Sequence, residues 1–146
     1  MKSAQKGFTL IESLIVLSIF MILSTVTVFS LKPEHTMIED EAFLTRMQAD
    51  LYFAQNYAMS HQHEVSLRFI PSQYKYKVSE GTEQSLILER SYSQNFRVTE
   101  GSIPFTIVFL PNGNVRNFGS LYIRTKTKVY RLTFLIGRGR FYVAEQ

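Results

Sequence analysis

The sequence predicts an α+β protein, in which a long N-terminal helix, transmembrane in its first half and amphipathic in its second, packs on a small antiparallel β domain. Three observations carry this. Residues 8–31 are almost uniformly apolar, residues 37–58 repeat apolar side chains at alternating spacings of three and four, and after Gln62 the period drops to two. With 146 residues, 45% of them hydrophobic and 19% charged, the chain can bury one core and is too apolar to be disordered. The absence of cysteine excludes a disulfide scaffold and Cys-based zinc sites.

The apolar segment, Phe8 to Leu31, holds 24 residues with one charge, Glu12. A helix of this length spans about 36 Å, enough for a hydrocarbon core of about 30 Å. Lys2 and Lys6 precede it, so the positive-inside rule puts the N-terminus in the cytoplasm and residues 32–146 outside. The run is too long for an ordinary secretory signal, and its end, Thr-Val-Thr-Val-Phe-Ser-Leu, lacks an Ala-x-Ala-like site. Glu12 is the anomaly: a carboxylate inside an apolar helix is costly and is kept where it has a partner, a task, or reach to the headgroups.

Lys6-Gly7-Phe8-Thr9-Leu10-Ile11-Glu12 resembles the processing site of type IV pilins and pseudopilins: a short basic leader, a Gly, a Phe that becomes the mature N-terminus, and a Glu at the fifth mature position. The resemblance implies that a prepilin peptidase cuts between Gly7 and Phe8, that Phe8 is N-methylated, and that Glu12 pairs with the Phe8 ammonium of a neighbouring subunit during assembly. Gly7 suits close approach of a protease to the backbone. Removal of residues 1–7 would leave 139 residues carrying 14 basic and 12 acidic side chains.

Lys32-Pro33 marks a break or kink. Thr36, with Glu39 three residues on, has the capping-box form, which predicts a new helix start there. The stripe Leu44, Met47, Leu51, Ala54 and Ala58 is expected to lie on a sheet, with Glu39, Asp40, Glu41, Arg46 and Asp50 on other faces. About eight strands follow, divided by the turn signals Pro71-Ser72, Glu80-Gly81, Glu100-Gly101, Pro111-Asn112-Gly113-Asn114, Phe118-Gly119 and Gly137-Arg138-Gly139. They predict an antiparallel sheet or two packed sheets. The expected organisation is a leader at 1–7, a transmembrane helix at 8–31, an amphipathic helix at 34–62 and an extracytoplasmic β domain at 63–146.

No catalytic constellation is apparent, and no cofactor, metal or enzymatic activity is expected. His61-Gln62-His63-Glu64 reads as a polar turn, since spacing fixes no third ligand beside the two histidines. Charge is divided instead. Residues 34–50 hold Glu34, Glu39, Asp40, Glu41 and Asp50 against Arg46, whereas residues 115–140 hold seven Lys or Arg and no acid. Three readings stand: complementary patches that steer subunit assembly, a basic end that contacts DNA with tyrosines nearby, or a solvated sheet face.

The strand pattern and the two turns Phe-Leu-Pro-Asn-Gly-Asn-Val and Gly-Arg-Gly-Arg are similar to those of minor pseudopilins of the GspH and FimT kind. In the FimT kind a Gly-Arg-x-Arg motif binds DNA, which by position implicates Arg138 and Arg140. Over its whole length the chain resembles competence minor pseudopilins of Gram-positive bacteria. That resemblance implies a non-enzymatic subunit of a hetero-oligomeric transformation pilus, anchored in the cell membrane, exposed at the cell surface after assembly and needed for uptake of external DNA. Its expected partners are other competence pilins, prepilin peptidase, the membrane and DNA; a type II secretion minor pseudopilin is the alternative.

Overall fold

The structure, a computed structural model, describes residues 9–30, 32–81, 85–137 and 139–146. Gly7, Phe8 and Arg138 lie outside the described residues. The chain divides into two compact units, residues 1–40 and 41–146.

In the first unit, α1 runs from Leu10 to Ser30. Thr9 starts it: the Glu12 amide donates to Thr9 Oγ1 at 3.4 Å and the Ser13 amide to the Thr9 carbonyl at 3.2 Å. Within Leu10–Thr27 no residue is buried, so the helix is apolar on every side and unsheltered by protein. The hydroxyls of Ser18, Thr25 and Thr27 donate to the carbonyls of Leu14, Met21 and Leu23 at 2.8, 2.8 and 2.9 Å. With its hydroxyls bonded internally, such a helix presents little unsatisfied polarity to hydrocarbon.

A second helix, α2, spans Lys32–His61 and continues from the first unit into the second. Its start lies four residues ahead of the Thr36 expected from the capping-box form. Pro33 accounts for this, because its fixed φ suits a first helical turn and its missing amide costs nothing there. Gln62 ends the helix in the left-handed region at φ 57°, its Nε2 donating to the Met59 carbonyl at 2.6 Å.

Within residues 41–146, Leu44, Met47, Leu51, Ala54 and Ala58 are all buried, the stripe the spacing predicts. Eight strands follow: β1 (Val65–Ile70), β2 (Lys75–Glu80), β3 (Ser85–Ser91), β4 (Arg97–Glu100), β5 (Thr106–Phe109), β6 (Gly119–Arg124), β7 (Val129–Phe134) and β8 (Phe141–Glu145). They form two antiparallel four-stranded sheets, ordered β3-β2-β1-β5 and β4-β6-β7-β8. The segment from Tyr92 to Phe96 carries the chain from one sheet to the other. It is held because Tyr92 and Phe96 are buried against Phe43 of α2, with ring centroids 5.4 and 4.4 Å away.

Inward-facing residues of seven strands merge with the α2 stripe in one core, and Ile87 and Leu88 of β3 pack against it. Phe109 of β5 meets Phe134 of β7 edge to face at 6.4 Å, and Tyr52 of α2 meets Phe141 of β8 at 4.5 Å. The architecture is the predicted α+β arrangement, a helix on antiparallel sheet.

Asp40 and Asp50, expected on faces other than the buried stripe, are both buried and correct the sequence reading. For Asp50, Tyr76 Oη donates to its Oδ2 at 2.6 Å and Arg90 Nε does so at 3.2 Å. A carboxylate three residues from Met47 enters the core because both partners arrive from distant strands.

Candidate functional site

Glu12 occupies the first turn of α1, where exposed amides and the helix dipole favour a carboxylate. The run Thr9-Leu10-Ile11-Glu12 thus begins the helix and carries its only charge. Glu12 is exposed along with its apolar neighbours, so its carboxylate is presented to whatever surrounds the helix.

At the opposite end of the sequence, the turns Pro111–Asn114 and Gly137–Arg140 are brought together by one side chain of α2. Gln55 Nε2 donates to the Gly113 carbonyl at 2.7 Å and reaches the Gly139 carbonyl at 3.4 Å. Gly139, buried and at φ 58°, leaves no space for a Cβ, which would run into the Gly113 carbonyl and Gln55. The β7–β8 hairpin closes through the Leu135 amide on the Arg140 carbonyl at 2.8 Å. Arg140 is exposed beside this pinned backbone, and Leu135 and Ile136 are exposed on the same turn.

The basic stretch is distributed by strand register. Tyr122 of β6 faces Arg131 of β7, whose guanidinium lies 5.9 Å from the Tyr122 ring centre and donates to Gln146 Oε1 at 2.8 Å. Arg97 of β4 stands directly opposite Arg124 of β6. Arg116 pairs with Glu64, and Lys128 with Glu145 at 2.9 Å, a bond that holds the Lys128 ammonium above its ordinary range. Arg97 lay outside the basic stretch seen in the sequence. Its outward direction was readable from the alternation with Val98; its pairing with Arg124 was not.

The polar turn after α2 has structural partners. His63 Nδ1 contacts Glu80 Oε1 at 2.6 Å, Tyr57 donates to Glu80 Oε2 at 3.1 Å, and His61 stacks on Tyr57 with ring centroids 3.8 Å apart. The His63 bond, followed by that from Tyr57, draws the Glu80 carboxyl below its usual value against the opposing effect of desolvation. Among the described residues no group of three His, Asp or Glu is arranged to hold a metal ion.

A sequence profile described as the prokaryotic N-terminal methylation motif matches residues 2–28. The fold resembles the type IV minor pilin FimU of Pseudomonas aeruginosa, with a TM-score of 0.59 at 15% identity, covering 71% of this chain and 91% of that one. It also resembles the minor pseudopilin EpsH from the type 2 secretion system of Vibrio cholerae, with a TM-score of 0.54 at 13% identity, covering 75% of this chain and 96% of that one. A methylation motif leading into a bare apolar helix, followed by a helix on antiparallel sheets, is the arrangement of type IV pilin-like minor pseudopilins, which this chain resembles. In sequence it is ComGD-like: the chain is 25% identical over 136 residues to the competence protein ComGD of Bacillus subtilis, covering 93% of this chain and 91% of that protein.

Proposed function

We propose that this protein is a structural subunit of a transformation pilus, needed for the uptake of external DNA. The observation that carries the reading is the likeness to a competence protein across nearly the whole chain, β domain included. Prepilin peptidase cuts between Gly7 and Phe8, the new N-terminus at Phe8 is methylated, and α1 anchors the chain with its C-terminal unit outside the membrane. Glu12 then meets the Phe8 ammonium of a neighbouring pilin, an ion pair that is strong where water is scarce. The bare surface of α1 supports the last step, because an apolar helix can exchange lipid for other pilin helices without exposing unsatisfied groups.

Two measurements test it. Intact mass after co-expression with a prepilin peptidase is expected to lack residues 1–7, and an unshortened chain sinks the processing step. A chromosomal deletion is expected to abolish transformation and is complemented by the wild-type chain but not by Glu12→Ala; full transformation without the chain refutes the competence role.

A second reading, that the subunit itself contacts DNA, is favoured by Arg140, exposed on a turn whose backbone Gln55 and Gly139 hold still. With Arg138 it would meet phosphates. Gel shifts of the full chain in neutral micelles across a salt series check this, and unchanged affinity in Arg138→Ala/Arg140→Ala refutes it.

A further inference from the structure

The outer face of the second sheet carries side chains that the core does not use. Strand alternation buries Val98, Leu121, Ile123, Tyr130, Leu132 and Phe141 and leaves Arg97, Thr99, Tyr122, Arg124, Arg131 and Tyr142 on the other side. Register sets Arg97 opposite Arg124 in one row and Thr99, Tyr122, Arg131 and Ala144 in the next, with Tyr142 on the diagonal from Arg131. The acids of these strands, Glu100 and Glu145, fall at the opposite alternation, as register partners of buried Leu121 and Tyr130. The outer face is therefore cationic and aromatic, with no carboxylate in its rows.

On the first sheet the cations are occupied: Arg68 donates to Thr106, Lys75 and Lys77 share Glu89, and Arg90 holds Asp50. Arg97 and Arg124 are exposed and have no partner among the described residues, although like charges directly opposite each other destabilise a sheet. Exposed Lys126, in the turn beyond Arg124, adds positive charge at the same end. Beside them the Tyr122 ring is held between the Arg131 guanidinium, 5.9 Å from its centre, and Gly101, where a Cβ would collide with it. Arg131 is in turn fixed by Gln146 Oε1 at 2.8 Å. Tyr142 is 46% exposed, and its hydroxyl and ring have no partner among the described residues.

We propose that this face binds single-stranded DNA, with Arg97, Arg124 and Lys126 on phosphates and with Tyr142 and the Tyr122–Arg131 pair on unstacked bases. A guanidinium meets phosphate through paired hydrogen bonds, and every base offers a π-face to a ring or a guanidinium plane. A duplex offers its phosphates but keeps its bases stacked, which leaves the tyrosines unused. A protein partner needs apolar anchors, and the only aliphatic side chains in these rows are the partly buried Val129 and Ala144. With strands about 4.8 Å apart, β4 to β8 spans about 14 Å, which suits the two or three bases that a four-stranded sheet stacks. The site is separate from the Arg138–Arg140 turn. The inference rests on the proposed role in DNA uptake for its setting and names the form of DNA held, while binding itself is read without uptake.

The experiment uses the full chain in neutral micelles and follows fluorescence anisotropy of a labelled oligothymidine about 12 nucleotides long across a salt series. The single strand is expected to bind more tightly than a duplex of the same length. Arg97→Gln/Arg124→Gln is expected to weaken single-strand binding about tenfold and to flatten the salt slope by about 1.4, two phosphates at about 0.7 each. Arg97→Lys/Arg124→Lys, which keeps the charge, should keep that slope. Tyr142→Ala is expected to weaken binding at least about fivefold with the slope unchanged, the signature of a lost stack. All variants are expected to keep the wild-type circular dichroism spectrum. Single-strand affinity indifferent to the arginine and tyrosine changes overturns the proposal, and so does a preference for duplex with Tyr142→Ala silent, which assigns the face to phosphates alone. It is equally overturned if Arg138→Ala/Arg140→Ala removes all single-strand affinity while the sheet variants retain it, an outcome that leaves the turn as the DNA contact. Loss of co-purification with the other pseudopilins in Arg97→Gln/Arg124→Gln, with oligonucleotide affinity intact, assigns the face to a pilin partner and overturns it too. A chain that binds as stated but is dispensable for transformation overturns the competence role alone.

Discussion

Tyr76 and Asp50 form a buried hydrogen bond of 2.6 Å between the first sheet and α2, with Arg90 as the carboxylate's second donor. Burial, followed by the bond to Asp50, pushes the Tyr76 hydroxyl above its ordinary range and keeps it a donor at all working pH values. Tyr76→Phe is expected to cost about 1–3 kcal/mol, because Asp50 loses a donor it cannot replace with water. Asp50→Ala should cost at least as much. Denaturant titration followed by circular dichroism checks both, and wild-type midpoints would show the pair to be incidental.

The Gln55 clasp predicts a different failure. Gly139→Ala places a side chain against the Gly113 carbonyl and Gln55 at a positive φ, and is expected to cost about 3 kcal/mol. Gln55→Ala only removes the donor and should cost about 1 kcal/mol. Thermal melts order the two, and equal effects would contradict steric exclusion at Gly139.

Acid weakens the domain through Glu80. Its folded carboxyl titrates below the ordinary 4.5 chiefly because of His63, so the stability it contributes is present above that pH and is lost as pH falls through the folded value. Glu89, lowered first by Lys77 and then by Lys75, acts in the same window. Glu80→Gln is expected to flatten the acid limb of a melting-temperature profile taken down to about pH 3. A limb of unchanged slope would argue against the His63 pairing.

At alkaline pH the group to watch is Tyr92, whose hydroxyl is buried with no partner among the described residues. Burial pushes it from 10.0 up to about 12. The neutral phenol is therefore favoured by folding, and its contribution is present below pH 10.0 and lost as pH rises toward about 12. Tyr92→Phe is expected to be neutral or to stabilise by about 1 kcal/mol, and to reduce the alkaline loss. Destabilisation at neutral pH would reveal a bond to that hydroxyl.

Much of the fold was legible because it is local. The spacing of Leu44, Met47, Leu51, Ala54 and Ala58 marks a buried helical stripe whatever covers it, and pairs such as Leu121 and Ile123 mark an inward strand face. The start of α2 was displaced because Thr36 and Pro33 send competing local signals. Asp50 was misread because composition assigns carboxylates to water, while its partners lie 26 and 40 residues away.

By itself the sequence determined that an apolar helix bearing one glutamate leads the chain, that a second helix buries one stripe and that strands follow, since each depends on periodicity within a few residues. Only the tertiary structure decided that β4 leaves its neighbours for the other sheet, that Gln55 ties two turns together and that Arg97 faces Arg124. Those relations depend on which strands pair and in what register. Register follows from packing of the whole core, so residues far apart in the chain become neighbours only once it closes.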